Sequence, residues 1–180
     1  MNDQESRVIL VNFQDCEVGT MEKTEAHRKA KLHRAFSVFL YHGDQILLQQ
    51  RARNKYHCGL KWTNTCCSHP LPGEDTCRAA IKRLEDEVGI VIEELYEIFS
   101  FFYFSQLDHE MTEFECDHVF VAEYTGPFQK NPDEVEDMKW ISCQQLERDM
   151  MAEPENFTPW FLICAPEVIK YITGTASRTL

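Results

Sequence analysis

Three histidines and two glutamates in this chain carry donor atoms that suit one divalent metal ion. His27 and His33 stand six residues apart, His69 follows a cysteine pair in Cys66-Cys67-Ser68-His69-Pro70, and Glu113 and Glu115 alternate in Thr-Glu-Phe-Glu-Cys. In a strand alternate residues face the same way, which puts both carboxylates on one side, about 6.6 Å apart at a rise of roughly 3.3 Å per residue. Imidazole and carboxylate donors together fit Zn²⁺, Mn²⁺ or Fe²⁺. Scattered histidines are more often surface or satisfied core residues, and spacing leaves His42, His57, His109 and His118 in that ordinary class. Cys67, two residues before His69, stands where a nearby cation or metal lowers a thiol pKa. Paired with a carboxylate, it would form an acid and base couple of unlike strength, about 8.5 against about 4.3 before perturbation. A small buried hydrophobe beside Cys66 is the competing reading of the same thiol. Lys23, Arg51, Arg53, Lys55 and Arg83 supply the point charges and guanidinium forks that capture anions, although each taken singly reads as a solvated surface charge. Arg83 and Glu87 also have the i, i+4 spacing of a helix-surface ion pair.

These groups need rigid elements to bring them together. Val8 to Val11 reads as a short strand, and Phe36 to Arg51 as a hairpin turning at His42-Gly43-Asp44. The stretch Met21 to His33 is a charged lead-in. Residues 52–74, with Gly59, Pro70, Pro72 and Gly73 among His, Cys and Trp, are too irregular for a helix and long for a bare connection, the kind of loop that carries function. From Asp75 the apolar spacing of Cys77, Ala80, Ile81, Leu84 and Val88 predicts a helix that stops at Gly89. Strands at Glu97 to Phe104, His118 to Tyr124 and Asp137 to Ile141 follow, then a short helix near Cys143 to Met150 and a final helix from Pro159 to Ile172. The pattern predicts one α/β or α+β layered domain spanning 1–180, with flexible tails at about 1–7 and 174–180.

Eighteen Lys and Arg against 30 Asp and Glu give a net charge of -12, which repels phosphate backbones and anionic lipid. Nucleic acid and membrane are therefore not expected as partners, and a phosphate-bearing ligand would need local Lys, Arg and a divalent cation to cancel the repulsion. The N-terminus lacks the pattern of a secretory signal, so a cytoplasmic location is expected, with the eight cysteines as thiols, ligands or core fillers.

The helix after Asp75 resembles a degenerate Nudix box. Its pattern of Gly, five residues, Glu, seven residues and Arg-Glu-apolar-x-Glu-Glu-x-Gly-apolar is met by Glu74, Lys82, Leu84, Asp86, Glu87, Gly89 and Ile90. Ser68 replaces the first Gly, and Arg83 replaces a metal-binding Glu, which argues against diphosphate hydrolysis while keeping the fold signal. Around the box, Thr63 to Pro70, His33 to Tyr41, Thr112 to Cys116 and Phe157 to Phe161 resemble, in order, the type I isopentenyl-diphosphate isomerases. The resemblance implies a Nudix-like mixed sheet flanked by helices, and interconversion of isopentenyl and dimethylallyl diphosphate by protonation and deprotonation of the alkene. It implies His27, His33, His69, Glu113 and Glu115 as ligands of one divalent metal (Zn²⁺, Mn²⁺ or Mg²⁺). Cys67 and Glu115 become the proton-transfer residues, Tyr103 a partner at that end and Trp160 an aromatic at the substrate. Lys23, Arg51, Lys55 and Arg83 become the diphosphate contacts, with Glu87 a ligand of the Mg²⁺ that arrives with the substrate. Two other readings are a Nudix diphosphate hydrolase and a zinc-binding or redox-sensing module on Cys58, Cys66, Cys67 and His69. The first is opposed by Arg83 and the second by the lack of paired CxxC motifs.

Overall fold

The structure, a computed structural model, describes residues 7–55, 57–107 and 111–174. The tails expected at the two ends lie almost wholly outside the described residues, and so does His109. Among the described residues nine strands and four α-helices are formed: β1 Arg7–Val11, β2 Glu17–Glu22, α1 Lys23–Arg28, β3 His33–His42, β4 Gln45–Arg51, β5 Trp62–Thr63, β6 Cys66–Ser68, α2 Thr76–Val88, β7 Tyr96–Gln106, β8 Thr112–Glu123, β9 Val135–Ser142, α3 Cys143–Ala152 and α4 Pro159–Ile172.

β3 organises the sheet. It pairs antiparallel with β1, β4 and β6 and parallel with β8, whose other edge takes β7, while β4 carries β5 and β9. Because strand side chains alternate, the odd residues of β3 and β8 face one layer and the even ones the other. On one face Phe39, Val119 and Val121 pack with Leu146, Phe161, Cys164 and Val168 of α3 and α4; on the other Phe36, Val38, Leu40 and Phe120 pack with Ala80, Leu84 and Val88 of α2.

α2 begins where Asp75 accepts a hydrogen bond from the Arg78 amide and ends at Gly89 in the left-handed conformation (φ 65°), the start and stop expected from the sequence. Two stretches differ from expectation. The charged lead-in begins with the last two residues of β2 and contains α1, the helix starting because Glu22 caps the Thr24 and Glu25 amides at 2.7 Å. The supposed loop 52–74 contains β5 and β6; they form because β4 and β3 offer edges that no local pattern announces.

Candidate active site

The register of three neighbouring strands builds the centre of the site. His33 of β3 lies opposite Glu115 of β8, and Glu115 opposite Tyr103 of β7, so one row across the sheet carries imidazole, carboxylate and phenol. His69 comes from the end of β6, and α1 turns His27 inward, fully buried, onto the same point. The Nε2 atoms of His69, His33 and His27 lie 2.9, 3.3 and 3.7 Å from one Glu115 oxygen, and those of His33 and His69 are 3.2 Å apart.

This crowding fits a cation. The Nδ1 atoms of His27 and His33 each lie 2.7 Å from a backbone carbonyl, of Lys23 and Lys31, which they meet as donors; that tautomer leaves the Nε2 lone pairs aimed at the centre. Burial holds His69 down to about 3 despite the opposing pull of Glu115, which keeps it neutral as a ligand must be. The four donor atoms of His27, His33, His69 and Glu115 lie within 4.8 Å of one another.

Glu113 stands slightly apart from this quartet. It groups instead with His27 and His57, whose Nε2 is 3.5 Å from the Glu113 carboxylate, so the set of five expected from sequence divides into two overlapping groups. His57, which spacing left as ordinary, is buried in the site, and burial holds it well below the usual histidine range. Tyr103 donates to Glu115 at 2.6 Å and reaches Glu113 at 3.3 Å. The two carboxylates are driven apart in acidity. Burial and the neighbouring charge of Glu115 push Glu113 well up, whereas the three imidazoles outweigh burial at Glu115 and hold it well below its usual value.

Cys67 comes into the same pocket because alternation in β6 sends it to the site face and sends Cys66 into the core under α2. Arg51 Nη1 lies 3.7 Å from its sulfur. The sequence pointed to a lowered thiol pKa; instead burial outweighs Arg51 and pushes the thiol up to about 12. Trp160 sits at the start of α4, tied down by a Thr158 amide bond to the Trp62 carbonyl and a Thr158 hydroxyl bond to Thr63. Its indole donates to Asn64 Oδ1 at 3.2 Å, and the Arg51 guanidinium lies 5.4 Å from its ring centre.

Lys23, Arg51, Lys55 and Arg83 all line the pocket; Arg53 is exposed and does not. Arg83 and Glu87 are no surface pair. Glu87 is buried, it receives Arg83 Nε at 3.1 Å and Gln49 Nε2 at 3.2 Å, and Arg83 also reaches Glu134 at 3.3 Å. Glu134, which additionally pairs with Lys55, was not singled out from sequence. Nor was Asn64, although it lies within the Thr63 to Pro70 stretch; both enter the site through tertiary contacts. The cysteine-rich zinc module has no counterpart among the described residues, since Cys66 and Cys67 face opposite layers.

Comparison with known proteins assigns the class first. The NUDIX domain family model matches residues 31–161. The fold is also that of the solved Deinococcus radiodurans protein DR0079 (TM-score 0.67, 20% identity, covering 82% of this chain and 90% of that one). A MutT NUDIX hydrolase from Burkholderia pseudomallei superposes similarly (TM-score 0.62, 19% identity, 76% and 98% covered). Sequence relatives narrow the class. Isopentenyl-diphosphate Delta-isomerase 1 of Aromatoleum aromaticum is 44% identical over 92% of this chain and 93% of its own length, and the isopentenyl-diphosphate Delta-isomerase of Photobacterium profundum is 44% identical over 96% and 97%. The chain belongs to the isopentenyl-diphosphate Delta-isomerase family of the Nudix fold.

Proposed function

We propose that the chain, acting as one domain, interconverts isopentenyl diphosphate and dimethylallyl diphosphate. The observation that carries this reading is that a single pocket collects a thiol (Cys67), a tyrosine-bound carboxylate (Glu115), four cationic side chains (Lys23, Arg51, Lys55 and Arg83) and an indole (Trp160). Moving an unactivated double bond requires a proton added at the terminal methylene and another removed from the carbon two bonds away, through a tertiary carbocation. Cys67 and Glu115 are the two proton-transfer groups. Tyr103, whose phenol burial keeps protonated, orients Glu115 and shares its proton load. Trp160 presents a π-face to the cation, worth about 0.5 to 2 kcal/mol, and its burial with Phe157 and Phe161 keeps out the water that would quench the intermediate.

His27, His33, His69 and Glu115, with Glu113 beside them, hold a divalent metal of the Zn²⁺, Mn²⁺ or Mg²⁺ class. When bound, such an ion supplies positive charge that fixes Glu115 and sets its acidity. Lys23, Arg51, Lys55 and Arg83 hold the diphosphate, and Glu87 is the carboxylate for the Mg²⁺ that accompanies it. Remote binding of the diphosphate positions an otherwise featureless hydrocarbon. The substrate is a small molecule, and the location is proposed as cytoplasmic; no helix among the described residues is long and apolar enough to cross a membrane.

Incubation with isopentenyl diphosphate and Mg²⁺ in D₂O, followed by NMR, tests the reading directly. The allylic product should appear with deuterium, chelation should abolish turnover, and Zn²⁺ or Mn²⁺ with Mg²⁺ should restore it. Full activity after exhaustive chelation would remove the metal from the scheme, and absence of allylic product would remove the isomerase.

A further inference from the structure

The reverse face of β8 carries a second set of donors. There Cys116 and His118, two apart and therefore on the same side, point away from Glu113 and Glu115 toward the turn that joins β1 to β2. Asp15 in that turn adopts a left-handed backbone (φ 55°) and directs its carboxylate onto them. Asp15 Oδ2 is 3.0 Å from His118 Nε2, and one donor atom from each of Asp15, Cys116 and His118 falls within 4.8 Å of the others. We propose that Asp15, Cys116 and His118 form a second transition-metal site, for Zn²⁺ or Co²⁺, separate from the catalytic pocket.

Four features of the surroundings support an ion here. His118 Nδ1 meets the Glu97 carboxylate at 2.7 Å, the outer contact that fixes a metal-binding imidazole with its Nε2 toward the ion. Cys116 is fully buried and the His118 side chain is 13% exposed, with Asp15, 28% exposed, on the open side of the centre. The turn is pre-shaped, because Asn12 Oδ1 accepts the Gln14 and Cys16 amides and Arg34 holds the Asp15 carbonyl at 2.7 Å. Charge also closes: a divalent ion and Arg34 balance the anions Asp15, Glu97 and a Cys116 thiolate, with binding displacing one proton from the thiol and any proton on His118 Nε2. Arg34, 2.9 Å from Asp15 Oδ1, thus neutralises the outer carboxylate while Oδ2 remains on the ion's side. A sulfur, nitrogen and oxygen donor set selects Zn²⁺ or Co²⁺ over Mg²⁺, and three protein ligands leave one coordination position open.

Cobalt reports a thiolate ligand by its colour, and the catalytic quartet contains none. The reduced, chelator-treated full chain would be titrated with Co²⁺ and its absorption recorded. A sulfur-to-cobalt charge-transfer band should rise and saturate at the amplitude of one thiolate-bound ion per chain, with a second, thiolate-free ion taken by the catalytic quartet. It should persist in Cys67→Ala and His69→Ala, and disappear in Cys116→Ala. In His118→Ala, whose ring is not part of the core, apparent affinity should fall by at least ~10-fold. A wild-type titration without the band overturns the site, leaving Arg34, Asp15, His118 and Glu97 as a salt-bridge knot over a buried thiol. So does a band lost in Cys67→Ala and kept in Cys116→Ala.

Discussion

Two adjacent cysteines differ here only by the side of a strand on which they fall. Cys66 is sealed in the core under α2, while Cys67 enters the pocket beside Arg51. Cys67→Ala should therefore lower kcat by at least ~10²-fold, the loss of one general acid or base, and Cys66→Ala should leave turnover nearly intact. The reverse pattern in steady-state assays would mean that β6 is drawn in the wrong register. The same thiol gives a pH prediction. Held up at about 12, Cys67 is neutral below that value and becomes thiolate as pH rises, so in metal-free protein at neutral pH it is almost wholly thiol and its thiolate fraction grows as pH rises. Iodoacetamide labelling read by peptide mass spectrometry should modify exposed Cys16 long before Cys67, with the Cys67 rate still rising at pH 10. A Cys67 rate that levels off near neutrality would show a depressed thiol. At this scale donor chemistry narrows His and Glu so strongly that the candidate donors His27, His33, His69, Glu113 and Glu115 could be picked from the sequence, and the fold brings them together in two overlapping groups. The sequence classed His57 as ordinary and did not single out Glu134 or Asn64, since their partners Glu113, Lys55 with Arg83, and Trp160 come from distant elements, and it mistook the sign at Cys67 because burial cannot be read from a neighbour two residues away.

Elements carry these residues, and α2 is the one with a testable hinge. Its stop at Gly89 combines a left-handed backbone with close approach of Gln129, whose carbonyl oxygen would lie 3.0 Å from an added Cβ. Gly43, in the β3–β4 turn, shares the left-handed conformation (φ 57°) but has nothing within 4 Å. Both Gly→Ala changes should lose about 1 to 2 kcal/mol of stability from backbone strain, seen as a lower urea midpoint with unchanged slope. Only Gly89→Ala should also raise KM, because the last turns of α2 carry Arg83 and Glu87, which line the pocket and are proposed to hold the diphosphate and its Mg²⁺. An equal KM in the two variants would show that strain at the cap does not reach the site. The caps, periodicity and turn residues of α2, the β3–β4 hairpin and α4 made those elements legible in the chain. α1, β2, β5 and β6 were not, since each is short and exists because a neighbouring edge or cap completes it.

The whole molecule joins a fold shared with hydrolases to a family of isomerases, and the difference concentrates at Arg83. Hydrolysis of a diphosphate in this fold needs several carboxylates on one helix face to gather the metals that activate water. Arg83 puts a cation in that row, bound to Glu87 and Glu134, and the two carboxylates keep it charged against the opposing effect of burial. On the proposed reading Glu87 would remain as a ligand for a single Mg²⁺, enough to grip a diphosphate but short of the set that generates hydroxide. In a chain of net charge -12, such local cations are also what admits an anionic substrate. Wild-type protein should therefore release no measurable phosphate or pyrophosphate from isopentenyl diphosphate or nucleoside triphosphates in a colorimetric assay. Arg83→Ala removes a charge-assisted contact of about 1.5 to 3 kcal/mol, so KM should rise about 10 to 100-fold with a smaller change in kcat. Phosphate release by the wild type without double-bond migration would show that one carboxylate suffices for hydrolysis and would return the chain to the hydrolase reading. A normal KM in Arg83→Ala would instead assign Arg83 to holding Glu87 and Glu134 in place rather than to the substrate.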